Sequence, residues 1–344
     1  MVGSQYATAF VDSKIGLGAG CQLTKAREIG MVQRGYNPRV RDHDAGDSSS
    51  PYMKEHNMMR GRWWGVLVML LVAVGGCATG NSQTAPTGTL DKLTTTRKIA
   101  LGYRESSIPF SYVSPDKTPV GYSVDLCMRI VADLQRQVPD LQVTWVPVTV
   151  ESRIPALLNG TIDLECGSTT NTLGRQEQVD FSLTTFLTGG SLLTLAEVPL
   201  GSELRSLRIA VIPGTTTEQV FKTFVTQSAA AVQFLPVKDH AEGLAALENR
   251  TADAYASDRI ILIGLALTAQ DPTRFALADR YFSYEPYALM LRRGDLAFRL
   301  AVNRVLARLY RSGQILEVYT RWFGRLGPPS ALLISLYAIE GLPD

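Results

Sequence analysis

From residue 98 onward, apolar and polar positions fall into blocks that alternate between a period of two and a period of three to four, which predicts strand and helix in turn. A strand over 99–103 begins with Ile99, Ala100 and Leu101, and 110–122 is hairpin-like with a turn at Pro115-Asp116. A helix follows, capped by Ser123, with Leu126, Cys127, Ile130, Val131 and Leu134 on one face to lie against a sheet. A strand over 143–148, a helix over 153–159 stopped by Gly160 and a strand over 161–165 complete a first unit. The second unit begins near Leu192. Its strand over 208–212 runs into Gly214-Thr215-Thr216-Thr217 and a helix from Glu218, followed by strand 232–236, helix 241–249, strand 252–256 and a helix from Asp258. The stretch 285–291 reads as a strand leading back, and helices over 295–312 and 315–323 end the fold. The expectation is an α/β fold of two lobes joined by two extended crossings, with a ligand in the cleft between them. The first lobe is expected over 97–191 and 289–324 and the second over 192–288, with hinges at 189–193 and 287–291.

The pattern fails before residue 98. Residues 1–57 are polar and aperiodic, with clusters such as Asp42-His43-Asp44 and Ser48-Ser49-Ser50, and cannot build a core. They read as an over-extended gene start, with Met58 or Met59 the true one, rather than as a cytoplasmic domain. In 58–76, Arg60 and Arg62 lead an apolar stretch from Val66 to Val74, closed by Gly75-Gly76 before Cys77. This reads as a lipoprotein signal peptide, with Cys77 lipidated and becoming the mature N-terminus. The apolar run is well short of the ~20 residues of a spanning helix. Residues 77–96 are expected to be a flexible tether, Gly/Ser/Thr/Pro-rich over 78–89. At the other end, 325–344 is a tail whose stretch 331–339 is apolar enough to pack on a lobe or meet a partner.

Composition narrows the class. With 344 residues, 45% hydrophobic, 19% charged and a net charge of +2, the chain is long enough for two lobes and too balanced for a nucleic-acid binder. Of four cysteines, Cys21 lies in the leader and Cys77 is the lipid site. Cys127 and Cys166 either pair or remain two separately buried thiols.

The candidate chemistry centres on Glu165 to Arg175, ECGSTTNTLGR. Gly167, Ser168, Thr169 and Thr170 offer N–H groups and hydroxyls at a strand's carboxyl end, and Arg175 adds a planar fork for an oxyanion. Arg104 and Arg153 also stand just beyond strand ends. One such arginine is ordinarily solvated. Three at equivalent places converge on one edge of a parallel sheet, where open α/β folds bind ligands. His240 follows another strand but lacks the partners of a metal site, and Asp258 opens a helix where it can serve as an N-cap. No metal or cofactor is expected.

These segments resemble the extracellular solute-binding proteins of polar amino-acid ABC importers, family 3, in their glutamate/aspartate-binding branch. The resemblance is carried by RESSIPFSY from Arg104, GYSVDL from Gly121, RIPALLNG from Arg153, ECGSTTN with Arg175 and Phe181-Ser182 downstream, GTT at Gly214, KDH at Lys238 and YASD at Tyr255, and runs from about Lys98 to Phe323. It implies a periplasmic binding protein-like fold, a monomer tethered through Cys77, and delivery of glutamate or aspartate to a membrane permease. It further implies that Arg175 and Thr170 hold the ligand's α-carboxylate, that Asp258 and Ser168 hold its ammonium, and that Arg104, Arg153 and His240 hold its side-chain carboxylate. Thr215 and Thr216 would contribute from the second lobe. Three arginines against Asp258 count to about +2, suited to two carboxylates and one ammonium. The competing reading is a periplasmic enzyme, a dehydratase or lytic type, on the same scaffold with Glu165 or His240 as acid/base group. No activated nucleophile or pair of free carboxylates supports it. A receptor's sensor module would need a transmembrane helix and signalling domain after Phe323.

Overall fold

The computed structural model describes residues 88–198, 207–228 and 231–343. The expected leader, signal peptide, lipidated Cys77 and the tether as far as residue 87 lie outside the described residues. The rest of the expected tether is not flexible. Helix α1 (Thr89–Thr96) is fixed by the buried Leu93, by the Thr89 N–H donating to Asp295 Oδ2 at 2.7 Å, and by a Lys92–Asp163 ion pair at 2.7 Å.

Strand β1 (Lys98–Tyr103) leads into three short strands, β2 (Ser106–Ser107), β3 (Ser111–Val113) and β4 (Pro119–Val120), which make the expected hairpin. Helix α2 (Tyr122–Leu134) starts without a serine cap. The Tyr122 and Ser123 N–H groups instead donate to the carbonyls of Pro109 and Phe110, both at 2.9 Å, which meets the donors a side chain would otherwise satisfy. That approach brings the backbone of Phe110 so close that a Cβ on Gly121 would lie 2.3 Å from its carbonyl oxygen. Next come β5 (Gln142–Pro147), α3 (Arg153–Leu158) and β6 (Leu164–Glu165). The expected five-residue strand shortens to β6 because Thr161 and Ile162 turn back, donating to Asn159 Oδ1 and the Ala156 carbonyl. Helix α4 (Leu173–Gln176) and the long strand β7 (Val179–Thr188) complete this part of the first lobe.

The second lobe comprises β8 (Gly190–Leu195), β9 (Arg208–Val211), α5 (Thr216–Ser228), β10 (Gln233–Pro236), α6 (His240–Glu248), β11 (Ala254–Asp258), α7 (Arg259–Thr268) and β12 (Phe275–Leu277). The chain then returns to the first lobe through β13 (Glu285–Arg292), α8 (Leu296–Arg311) and α9 (Gln314–Phe323). The tail forms α10 (Ala331–Glu340), which buries Leu333 and Tyr337 on the first lobe; the Tyr337 hydroxyl meets that of Tyr122 at 2.9 Å.

The two main sheets share one plan. Their orders are β5-β1-β6-β13-β7 and β10-β9-β11-β8-β12, and in each only the fourth strand runs antiparallel to the others. In both, the carboxyl ends of the parallel strands run out towards the same cleft. The chain changes sheets at Gly189 and again just before Glu285. The expected second hinge at 287–291 is instead inside β13, where Tyr287 pairs with Phe186 and Leu291 with Asp180. The crossings touch: Gly190 N–H donates to Ser283 Oγ at 2.9 Å, and a Cβ on Gly189 would sit 2.3 Å from the Ser283 carbonyl oxygen. The first lobe's core is aromatic, with Phe110, Tyr122, Phe186 and Phe323 in mutual ring contact. A Cys127–Cys166 disulfide settles the alternative left by the sequence and ties α2 to the residue following β6.

Candidate functional site

Six segments at the carboxyl ends of parallel strands meet in one small cavity between the lobes. All nine sequence-predicted residues line it: Arg104, Arg153, Ser168, Thr170 and Arg175 from the first lobe, and Thr215, Thr216, His240 and Asp258 from the second. The local sequence explains the placement. Thr215 Oγ1 accepts the Glu218 N–H while Glu218 Oε2 accepts that of Gly214, and Asp239 with Glu242 repeats the arrangement one strand further on. These reciprocal caps start α5 and α6 at the cleft.

At one end stand Arg104, Arg153 and His240. Arg104 and Arg153 are 4% and 3% exposed, yet neither forms an ion pair with a carboxylate among the described residues. Arg153 Nη1 donates to Thr169 Oγ1 at 2.6 Å, and Thr169 passes its own hydrogen to Glu165 Oε2 at 2.9 Å; Arg153 Nε has no partner. Burial, then the charge of neighbouring Arg153, lowers the Arg104 pKa to about 10. Burial also lowers that of Arg153. His240 is pushed down to about 3 by burial and then by the two arginines, so its imidazole is neutral. The Tyr255 hydroxyl lies 2.6 Å from Nδ1. When that hydroxyl donates, the ring's hydrogen is on Nε2.

At the other end stand Asp258, Thr217, Tyr287 and Arg175. Asp258 occupies the N-cap position of α7, but its carboxylate makes no cap bond. It accepts instead from the hydroxyls of Tyr287, on β13 of the first lobe, and Thr217, at 3.3 Å. Burial, followed by the nearby Glu285, raises its pKa to about 7. Arg175 donates to the Thr170 carbonyl at 2.8 Å and, across the cleft, to that of Gly214 at 3.4 Å; burial and then Arg153 lower its pKa to about 10.

Three predicted residues have committed hydroxyls, among them Thr216, whose hydroxyl donates to Glu285 Oε2 at 2.7 Å. That of Thr215 donates to the Ile212 carbonyl and accepts from Glu218, and that of Thr170 donates to Glu285 Oε2 at 2.6 Å. The Thr170 N–H has no partner among the described residues.

Sequence reasoning left two carboxylates out of the charge count, Glu165, named there only as the rival enzyme's acid/base group, and Glu285. Glu165 and Glu285, 0% and 1% exposed, bring the formal count to three carboxylates against three arginines, which corrects the excess of +2 inferred from Asp258 alone. Both ends are mixed: Glu165 lies behind Arg104 and Arg153, and Glu285 and Arg175 lie beside Asp258. A glutamate opening an otherwise apolar predicted strand, as Glu285 does, is the signal that was legible.

Residues 99–325 match the family model of bacterial extracellular solute-binding proteins, family 3. The chain is 36% identical over 261 residues to the L-glutamate/L-aspartate-binding protein of Pseudomonas aeruginosa, covering 74% of this chain and 86% of that one. It is 34% identical over 270 residues to the glutamate/aspartate import solute-binding protein of Escherichia coli K12, covering 77% and 89%. Among solved structures, an ancestral arginine-binding protein bound to glutamine superposes with a TM-score of 0.59 at 25% identity, covering 66% of this chain and 98% of that one. These relatives are binding proteins rather than enzymes. With the family pattern spanning both lobes and the cleft, this chain belongs to the bacterial extracellular solute-binding proteins, family 3.

Proposed function

We propose that the chain binds L-glutamate or L-aspartate in the cleft and delivers it to the permease of an ABC importer. The observation that carries this reading is the pair of buried guanidinium groups, Arg104 and Arg153, neither of which forms a direct ion pair among the described residues, with Glu165 reached from Arg153 only through Thr169. A buried cation is costly unless paired. A ligand carboxylate supplies a direct counter-charge and a bidentate match to the guanidinium fork.

In this reading Arg104, Arg153 and neutral His240 take the side-chain carboxylate. Arg175, with the free Thr170 N–H rather than its hydroxyl, takes the α-carboxylate. Asp258 and Ser168 take the ammonium, and Thr215 and Thr216 close the cavity from the second lobe. The relatives named above as glutamate/aspartate-binding proteins support the same ligand class. The finer localisation belongs to the proposal as well: a signal peptide over 58–76 and a lipid on Cys77 would hold the protein, as a monomer, at a membrane surface outside the cytoplasm. Titration calorimetry with L-glutamate, L-aspartate, L-glutamine and L-arginine tests the ligand class. Tight binding confined to the two acidic amino acids is expected, and equal or tighter binding of glutamine or arginine would overturn the assignment.

A further inference from the structure

Glu285 opens β13 at the point where the chain returns from the second lobe. It is 1% exposed and lies beside the cavity without lining it. Its Oε2 accepts the hydroxyl hydrogens of Thr170 at 2.6 Å and Thr216 at 2.7 Å, and its Oε1 accepts that of Ser283 at 2.6 Å. Thr170 belongs to the first lobe and Thr216 to the second, and their oxygens are 3.4 Å apart. One carboxylate oxygen thus joins the two lobes at the edge of the cavity.

A hydroxyl has a single hydrogen to give. With that hydrogen directed at Glu285, Thr170 and Thr216 can offer the cavity only lone pairs, and they line it together with the acceptor Asp258. We propose that Glu285 is a positioning residue: it clasps the lobes in the closed form and, by taking both hydroxyl hydrogens, makes that end of the cavity an acceptor for an ammonium group. The proposal rests on the reading of the cleft as an acidic amino-acid site.

The test compares the parent with Glu285→Gln, using two probes. L-Glutamate carries the ammonium, whereas 2-oxoglutarate keeps both carboxylates and has a ketone in its place. Glutamine at 285 presents donors as well as one acceptor, so the threonine hydrogens are freed to turn into the cavity. The variant should bind L-glutamate at least about tenfold more weakly, the effect of losing one hydrogen bond to a charged group. The loss should fall on the dissociation rate, because the clasp forms only once the lobes have met. Binding of 2-oxoglutarate should weaken less, so that discrimination between the probes narrows by about the same factor. A variant that keeps the parent's ratio of the two affinities overturns the proposal, even if both affinities fall, since a residue that only supports the fold affects both probes alike. Should Glu285→Gln not fold, Ser283→Ala decides on the same ratio, because that hydroxyl steadies the other Glu285 oxygen and lies outside the cavity lining. A parent that binds no L-glutamate overturns the amino-acid reading itself and is distinguishable from failure of the clasp alone.

Discussion

Asp258 makes the cleft sensitive to pH. Its pKa in the closed cavity is raised from 3.8 to about 7, by burial first and then by Glu285, while Tyr287, Thr217 and Arg175 pull it down. Because the folded value lies above the unfolded one, the stability this group contributes is fully present below its ordinary pKa and is lost as pH rises through about 7. A ligand ammonium reverses the preference and favours the carboxylate, so binding should release a proton. L-Glutamate affinity should therefore rise between about pH 5.5 and about pH 8, by no more than about tenfold per unit. Calorimetry in buffers of differing ionisation enthalpy checks this: proton release near pH 6.5 that disappears in Asp258→Asn is expected, and pH-independent affinity in the parent would contradict it. His240 should contribute no such step, since its pKa near 3 keeps it neutral throughout. The lining residues were legible in the sequence because they belong to the segments at the carboxyl ends of strands, where placement follows from topology. The roles of Tyr287 and Thr217 were not, because they depend on how their elements face after packing, and the one signal for Glu285, a glutamate at the head of an apolar strand, did not enter the charge count.

At the level of elements, what the sequence concealed was chiefly how ends are satisfied. Ser123 has the residue type of a helix cap, but backbone carbonyls reach the first N–H groups of α2 instead. The short strand β12, three residues long, carries too little periodicity to read, and α1 gains its order from Leu93 and Asp295 rather than from its threonine-rich sequence. Long, strongly patterned elements such as α2 and α8 stood out, since eight and seven of their residues face the core. The Cys127–Cys166 link joins α2 to the loop that carries Ser168 and Thr170 across a separation of 39 residues. A loop of that length constrains the unfolded chain enough to predict a loss of about 2–4 kcal/mol for the double variant Cys127→Ser, Cys166→Ser. Denaturant unfolding of the oxidised parent and the variant measures it; equal midpoints and slopes would show the link to be energetically idle.

On the scale of the molecule, two sheets of the same plan face one another across crossings that touch at Gly189, Gly190 and Ser283. Each lobe supplies part of the cavity lining, so the ligand is expected to hold the lobes together, with motion confined to the crossings. In small-angle scattering the radius of gyration should fall when L-glutamate is added. A constant radius under conditions where calorimetry shows saturation would rule out closure as the binding step.

The central claim, that two buried arginines await a ligand's side-chain carboxylate, is tested most directly by titrating L-glutamate and L-glutamine into the parent and into Arg153→Met. Removing one partner of a buried charge pair costs about 2–5 kcal/mol. L-Glutamate binding should weaken by that amount while any L-glutamine binding changes far less, because glutamine lacks the second carboxylate. L-Glutamate affinity in Arg153→Met equal to that of the parent, or an equal loss for both amino acids, would contradict the account.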